Sequence, residues 1–139
     1  MLAAAQDLRI CEASARFGLP EVTLGFNPSY GIARLLDVVG GGPARDLLLT
    51  GRSVDAAEAL RMGLVTRVVP DGTLAAAAEE LAAGIARHPR SGLAASKAIV
   101  ADIRAGKSGN AAQAYAAALR RDKGARARIA AFITKKKDN

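Results

Sequence analysis

The sequence predicts an α/β fold in its first half and an all-helical second half, and three observations carry that prediction. Up to residue 72, short apolar pieces alternate with glycine- and proline-containing turns. Beyond it, four Ala-rich stretches at helical spacing follow one another with no strand-like run between them. Half of the 139 residues are hydrophobic and a quarter charged, a balance that excludes a wholly disordered chain. The expected division is residues 1–72, mixed α/β, and 73–139, helical.

Each element has a local reason. Leu8–Cys11 and Ala15–Phe17 read as short strands, the second stopped by Gly18 and Pro20. Residues 25–31, Gly-Phe-Asn-Pro-Ser-Tyr-Gly, have loop chemistry. Ile32, Leu35, Leu36 and Val39 recur on one helical face. The three glycines at 40–42 read as a turn, Pro43 as the first helical residue, and Ala44–Thr50 as a short helix closed by Gly51. Asp55-Ala-Ala-Glu58 is a capping-box pattern opening a helix that Gly63 ends. Residues 64–69 follow as a strand terminated by Pro70-Asp71-Gly72.

The second half reads as helices over 74–88, from a Ser91 cap to Arg104, and from an Asn110–Gln113 capping box to about Asp122. Gly124 separates a fourth that ends in Lys135, Lys136 and Lys137. Small faces such as Ala111, Ala114 and Ala118 allow close helix approach and packing on another subunit.

Composition narrows the chemistry. One cysteine excludes a disulfide framework and a multi-cysteine zinc site, and no metal centre is expected. Cys11 reads as a small core residue, and His88, the lone histidine, as a helix-end residue. No apolar run approaches the ~20 residues of a membrane helix, and no secretory leader pattern opens the chain, so a cytoplasmic location is expected.

The net charge of +7 is unevenly spread. Residues 1–119 carry 12 basic and 11 acidic side chains; residues 120–139 carry eight basic and two acidic. That tail admits three readings: a solvated cationic helix end, a site for an anionic small ligand, or a nucleic-acid contact. Only Phe132 is interleaved with the charges, so the stacking platform of a single-strand binder is missing.

Glu21 stands out by its neighbours. It follows Gly18-Leu19-Pro20 in a stretch expected to be non-helical, between Leu19, Val22 and Leu24. A carboxylate in an apolar surround has its charged form disfavoured, which suits a general acid or base working near neutral pH.

The string from Ser14 to Gly25, Ser-Ala-Arg-Phe-Gly-Leu-Pro-Glu-Val-Thr-Leu-Gly, resembles the signature of the crotonase (enoyl-CoA hydratase/isomerase) superfamily. Asp7–Ile10, Leu48-Leu-Thr-Gly51, Ala56-x-Glu58-Ala59, Gly63-Leu-Val65, Val68-Val69-Pro70 and Ala131-Phe132-x-x-Lys135-Lys136 follow in that family's order. The resemblance implies the C-terminal part of a crotonase-like ββα-spiral followed by an all-helical oligomerisation region. It implies enolate-stabilising acid/base chemistry on acyl-CoA thioesters, as in fatty acid metabolism, with Glu21 matching the second of two catalytic glutamates. Pro20 and Ser29 match positions expected to line the acyl pocket, and Phe132 and Lys135 a C-terminal helix expected to contact coenzyme A. Coenzyme A would enter as part of the substrate, with no tightly bound cofactor.

The implied assembly is a trimer or hexamer, or a complex with a separate N-terminal half; neither nucleic acid nor membrane is an implied partner. The family's Gly-Gly-Gly-x-Glu has no counterpart here, Met1 standing at the position of that glutamate. A truncated protein, poorly active or inactive alone, is therefore expected, the alternative being a non-catalytic CoA-ester-binding or oligomerisation module. Two further departures are residues 28–34, one residue shorter than the family's usual motif, and Thr134 in place of an acidic residue.

Overall fold

The computed structural model describes residues 1–107 and 110–137, with side chains left undescribed at 110, 111 and 135–137. Its elements, besides 3-10 turns at Ala3–Ala5 and Pro20–Leu24, are β1 (Ile10–Glu12), β2 (Arg16–Gly18), α1 (Ile32–Val39), α2 (Gly41–Thr50), β3 (Ser53–Asp55), α3 (Ala56–Arg61) and β4 (Arg67–Val69). Then come α4 (Leu74–Ala86), α5 (Arg90–Arg104), α6 (Asn110–Arg121) and α7 (Lys123–Lys137). The chain divides into two compact units, Met1–Ala82 and Ala83–Asn139, the division falling within α4.

The first unit is built on two short ladders. β1 pairs parallel with β4, Cys11 opposite Val68, and β2 pairs antiparallel with β3, Gly18 opposite Ser53. Strands of three residues bury little by themselves, and the helices supply most of the core. Leu35 and Val39 of α1 and Ala44 and Leu47 of α2 close on Val54, Ala56, Ala59, Leu64 and Val65, with Cys11 and Leu19 joining them. Leu47 and Val54 are the largest side chains wholly out of water.

Where sequence reading and structure differ, local geometry explains it. The turn between α1 and α2 is a single left-handed residue, Gly40 (φ 77°), which ends one helix and begins the next. Gly41 and Gly42 are helical, and Pro43 is the third residue of α2. It is tolerated there because the first-turn N–H groups have no intrahelical acceptor; the N–H of Ala44 makes the first bond, 3.2 Å to the Gly40 carbonyl. β3 escapes a pattern search because three residues are too few to show alternation. At α3, the Asp55 carboxylate accepts the Glu58 N–H at 2.8 Å as expected, but the Glu58 side chain turns to Arg52, so the capping box is half made.

In the second unit α5 begins at Arg90, with Pro89 rather than Ser91 at the cap; the Pro89 carbonyl accepts from Gly92 and Leu93. The Asn110 side chain of the expected capping box, and that of Ala111, lie outside the described residues. Ala114 and Ala118 are exposed. So are Val100, Ile103, Ile129, Phe132 and Ile133, leaving this unit with large uncovered apolar side chains.

Candidate active site

The segment around Glu21 is fixed by its own residues. Pro20 presets φ for the first residue of the 3-10 helix Pro20–Leu24, so Glu21 is helical rather than in an irregular stretch. The Thr23 hydroxyl donates to the Pro20 carbonyl at 2.7 Å. Gly25, left-handed at φ 77°, closes the turn, and the Phe26 N–H returns 3.0 Å to the Glu21 carbonyl oxygen. Leu19 is buried just before it, whereas Val22 and Leu24 are exposed. The apolar surround expected from the sequence is therefore not built from those two neighbours.

The Glu21 carboxylate is partly enclosed even so. Its Oε2 is buried and makes no hydrogen bond among the described residues, and the same holds for Nη1 of Arg34 on α1. A buried polar atom left unpaired costs about 1–3 kcal/mol, so the fold gains no stability from that oxygen. Such an orphan belongs to a group free to bond to something else.

Pro20 is exposed beside Glu21. Ser29 is exposed on the loop that ends at Gly31 (φ 82°), the cap residue of α1. That loop is anchored by buried Pro28 and presents Phe26 and Tyr30 to solvent. Pro20 and Glu21 are thus joined on one turn and Ser29 sits on the next loop of the same unit. Phe132 belongs to the second unit, on α7, and is 70% exposed; the Lys135 side chain lies outside the described residues.

A cavity of about 210 Å³ lies in the first unit, lined by Met1, Phe17, Leu19, Leu35 and Leu47, with Arg16 as its charged lining residue. Leu19 connects its wall to the Pro20–Glu21 turn. A second group of charges is self-contained. Arg52 donates through Nε to Asp46 at 2.8 Å, and through Nη1 and Nη2 to Glu58 at 3.1 and 2.6 Å. The Glu58 hydrogen bond foremost, then that to Asp46, holds the guanidinium further toward its charged form, and Arg52 in turn holds the Glu58 carboxyl below its usual range. This group ties α2 to α3 through the Arg52 guanidinium.

Among the described residues no three His, Cys, Asp or Glu side chains cluster as metal ligands, and no helix is long and apolar enough to cross a membrane. The single cysteine, Cys11, lies buried in β1. Burial pushes its thiol pKa up, the opposite of what a nucleophilic thiol needs. His88 is exposed just past the end of α4.

Sequence reasoning missed Arg34 and the approach of Gly51 to this turn. Gly51 was legible only as a helix terminator, and a long side chain on a helical face gives no sign of burial at its tip.

The chain is 48% identical over 88 residues to the short-chain-enoyl-CoA hydratase of Clostridioides difficile, covering 63% of this chain and 57% of that protein. It is 41% identical over 99 residues to the carnitinyl-CoA dehydratase of Citrobacter koseri, covering 70% of this chain and 38% of that one. The solved enoyl-CoA hydratase of Bacillus anthracis superposes on 96% of this chain and 54% of its own length, with TM-score 0.83 and 32% identity. The chain therefore spans about half the length of that structure. Residues 1–136 match the family model for enoyl-CoA hydratase/isomerase. With the motif order and the superposition in agreement over nearly all of its length, the chain belongs to the enoyl-CoA hydratase/isomerase family.

Proposed function

We propose that these 139 residues carry the Glu21 side of an acyl-CoA-processing site, Glu21 being the acid/base that moves the substrate's proton. The buried, unpaired Oε2 of Glu21 carries this reading. Hydration of an enoyl thioester adds hydroxide to the β-carbon and a proton to the α-carbon, through an enolate-like thioester. A carboxylate with one oxygen not spent on structure can hold water or return that proton. The enolate oxygen needs preorganised N–H donors, and losing one such donor typically costs about 10²–10³ in rate. The family's Gly-Gly-Gly-x-Glu, which supplies a donor and the other glutamate, has no match in the sequence. This chain by itself is accordingly read as poorly active or inactive.

On the same reading residues 1–72 correspond to the later part of the ββα-spiral, and residues 73–139 to a helical oligomerisation region. Pro20 and Ser29 flank the acyl group, and Phe132 with Lys135 meets the adenine and phosphates of coenzyme A, on this chain or a neighbouring copy in a trimer or hexamer. The uncovered Ile103, Ile129, Phe132 and Ile133 favour a second reading, a CoA-ester-binding or assembly module without turnover.

The test follows crotonyl-CoA by loss of enoyl absorbance, with the chain alone and with a separately supplied segment bearing the Gly-Gly-Gly-x-Glu motif. The expected result is trace hydration alone and turnover in the mixture, with Glu21→Gln abolishing the gain. Turnover that survives Glu21→Gln rejects the catalytic role. Thioester binding without turnover, with or without the added segment, selects the module reading.

A further inference from the structure

The end of α2 and the turn bearing Glu21 approach so closely that one position between them has no room for a side chain. Gly51, left-handed at φ 65°, closes α2 through its N–H to the Leu47 carbonyl at 3.1 Å. A Cβ added there would stand 2.8 Å from Thr23 Cγ2, 3.1 Å from Val22 Cγ1 and 3.6 Å from Pro20 Cα. All three neighbours belong to the 3-10 helix that carries Glu21. Contacts under 3 Å do not persist between carbon atoms, so a Cβ at 51 makes Thr23 give way: either its side chain turns and surrenders the 2.7 Å hydroxyl bond to the Pro20 carbonyl, or the turn moves with it.

The end of α2 is the less movable partner. Arg52, next along the chain, is bonded both to Asp46 within α2 and to Glu58 in α3. Its own N–H donates to the Thr50 hydroxyl at 3.2 Å, and that hydroxyl donates to the Asp46 carbonyl at 2.7 Å. Beyond Arg52 the chain enters β3, whose Ser53 pairs with Gly18 of β2, just before Leu19 and Pro20. One ladder thus delivers both segments to the same point: residues 50–52 on one side, residues 19–24 on the other. The turn of Glu21 is held mainly by bonds within itself, its side chains at 22 and 24 being exposed, so it can shift as a piece more readily.

We propose that Gly51 is a positioning residue for Glu21: its bare, left-handed backbone is the seat against which the Pro20–Leu24 turn is set, and through which the carboxylate is aimed. The catalytic consequence rests on the reading of Glu21 as the acid/base; the seat itself does not. A misplacement of about 1 Å in a reacting group can cost on the order of 10²-fold in rate, so the displaced turn is expected to lower kcat by more than it raises KM for the thioester, to which Pro20 of the same turn adds only a flanking contact.

The test compares Gly51→Ala with Gly72→Ala. Gly72 is left-handed at φ 79° with open space at its Cβ, so both variants share the backbone strain and only the first makes the clash. A third variant, Thr23→Ser in the Gly51→Ala background, removes the nearest clashing methyl and keeps the hydroxyl that bonds to Pro20. The readouts are the backbone amide resonances of residues 21–26, and kcat and KM on crotonyl-CoA in the complemented mixture. Gly51→Ala is expected to shift those resonances and lower kcat about 10- to 100-fold. Gly72→Ala leaves both near wild type, and Thr23→Ser restores both. Resonances that stay put in Gly51→Ala, or that Thr23→Ser fails to restore, overturn the proposal. Resonances that move and return while Glu21→Gln leaves turnover intact uphold the seat and reject the acid/base reading instead.

Discussion

Truncating Leu47 to alanine tests the core that supports the site. Leu47 is 2% exposed, sits on α2 between Ala44 and the Gly51 turn, and touches the cluster formed by α1, β3 and α3. Removing three buried carbons at about 0.8 kcal/mol each gives about 2.4 kcal/mol from lost transfer alone. The void left behind adds to this, and Leu→Ala changes at enclosed sites cost about 2.7–5.0 kcal/mol in all. Leu47 already borders the cavity of about 210 Å³, so it lacks partners on that side and its loss removes fewer contacts. The expectation is therefore near the lower end, about 3 kcal/mol. Leu49, two residues along the same helix and 73% exposed, is the control, with an expected change within about 0.5 kcal/mol. The chain has no tryptophan, so the assay is urea unfolding followed by far-ultraviolet circular dichroism at fixed pH. If Leu47→Ala costs no more than Leu49→Ala, α2 does not form the core as described, and the Gly51 seat built on its end loses its support.

Three further predictions follow from single contacts. The Ser14 N–H bonds to Asp71 at 2.9 Å and, with the Ser14 hydroxyl, lowers the Asp71 pKa in the fold. Its contribution is therefore complete above the unfolded value of about 3.9 and fades as pH falls through the folded one. Asp71→Asn keeps the acceptor but not the charge, so wild type should exceed it in urea midpoint at pH 6 and the gap should narrow steadily as pH falls below about 3.9. A gap independent of pH refutes the assignment. Cys11, 6% exposed with its thiol pushed up by burial, should react with a disulfide reagent on the order of 10³-fold more slowly in the native protein than in urea. Equal rates would mean that β1 is not closed over by β4. Arg52→Lys should behave like Arg52→Met in thermal melting, since one ammonium cannot reproduce a fork bonded to Asp46 and Glu58 together; a wild-type midpoint for Arg52→Lys removes the bridge from the account.

The helices were the most legible part of the fold. Leu35 and Val39 are buried as the spacing of α1 predicts, although Leu36, placed on the same face, is 37% exposed. Asp55 caps α3 through its own side chain because an Asp three residues ahead of a donor needs only local geometry to reach it. The strands were read one to three residues out of place, and β3 was not read at all. Three-residue strands exist because a partner strand completes their hydrogen bonds, and the partner is 50 or more residues away for β1 with β4 and 35 or more for β2 with β3. Pairing at that distance leaves no periodic trace in either segment.

The candidate site divides in the same way. Its residue types, the Pro20-Glu21 dipeptide above all, were legible because a proline-led turn and the motif around it are local strings. The solitary cysteine, the concentration of charge in residues 120–139 and the family pattern were equally settled by composition and order. Only the tertiary structure decided which atoms are left without partners and which backbones touch. Burial of Glu21 Oε2 and Arg34 Nη1, and the absence of room at Gly51, depend on elements brought together from distant parts of the chain. A linear sequence encodes what each residue can bond to; steric exclusion and desolvation are properties of the assembled neighbours, and those are fixed only when the chain folds.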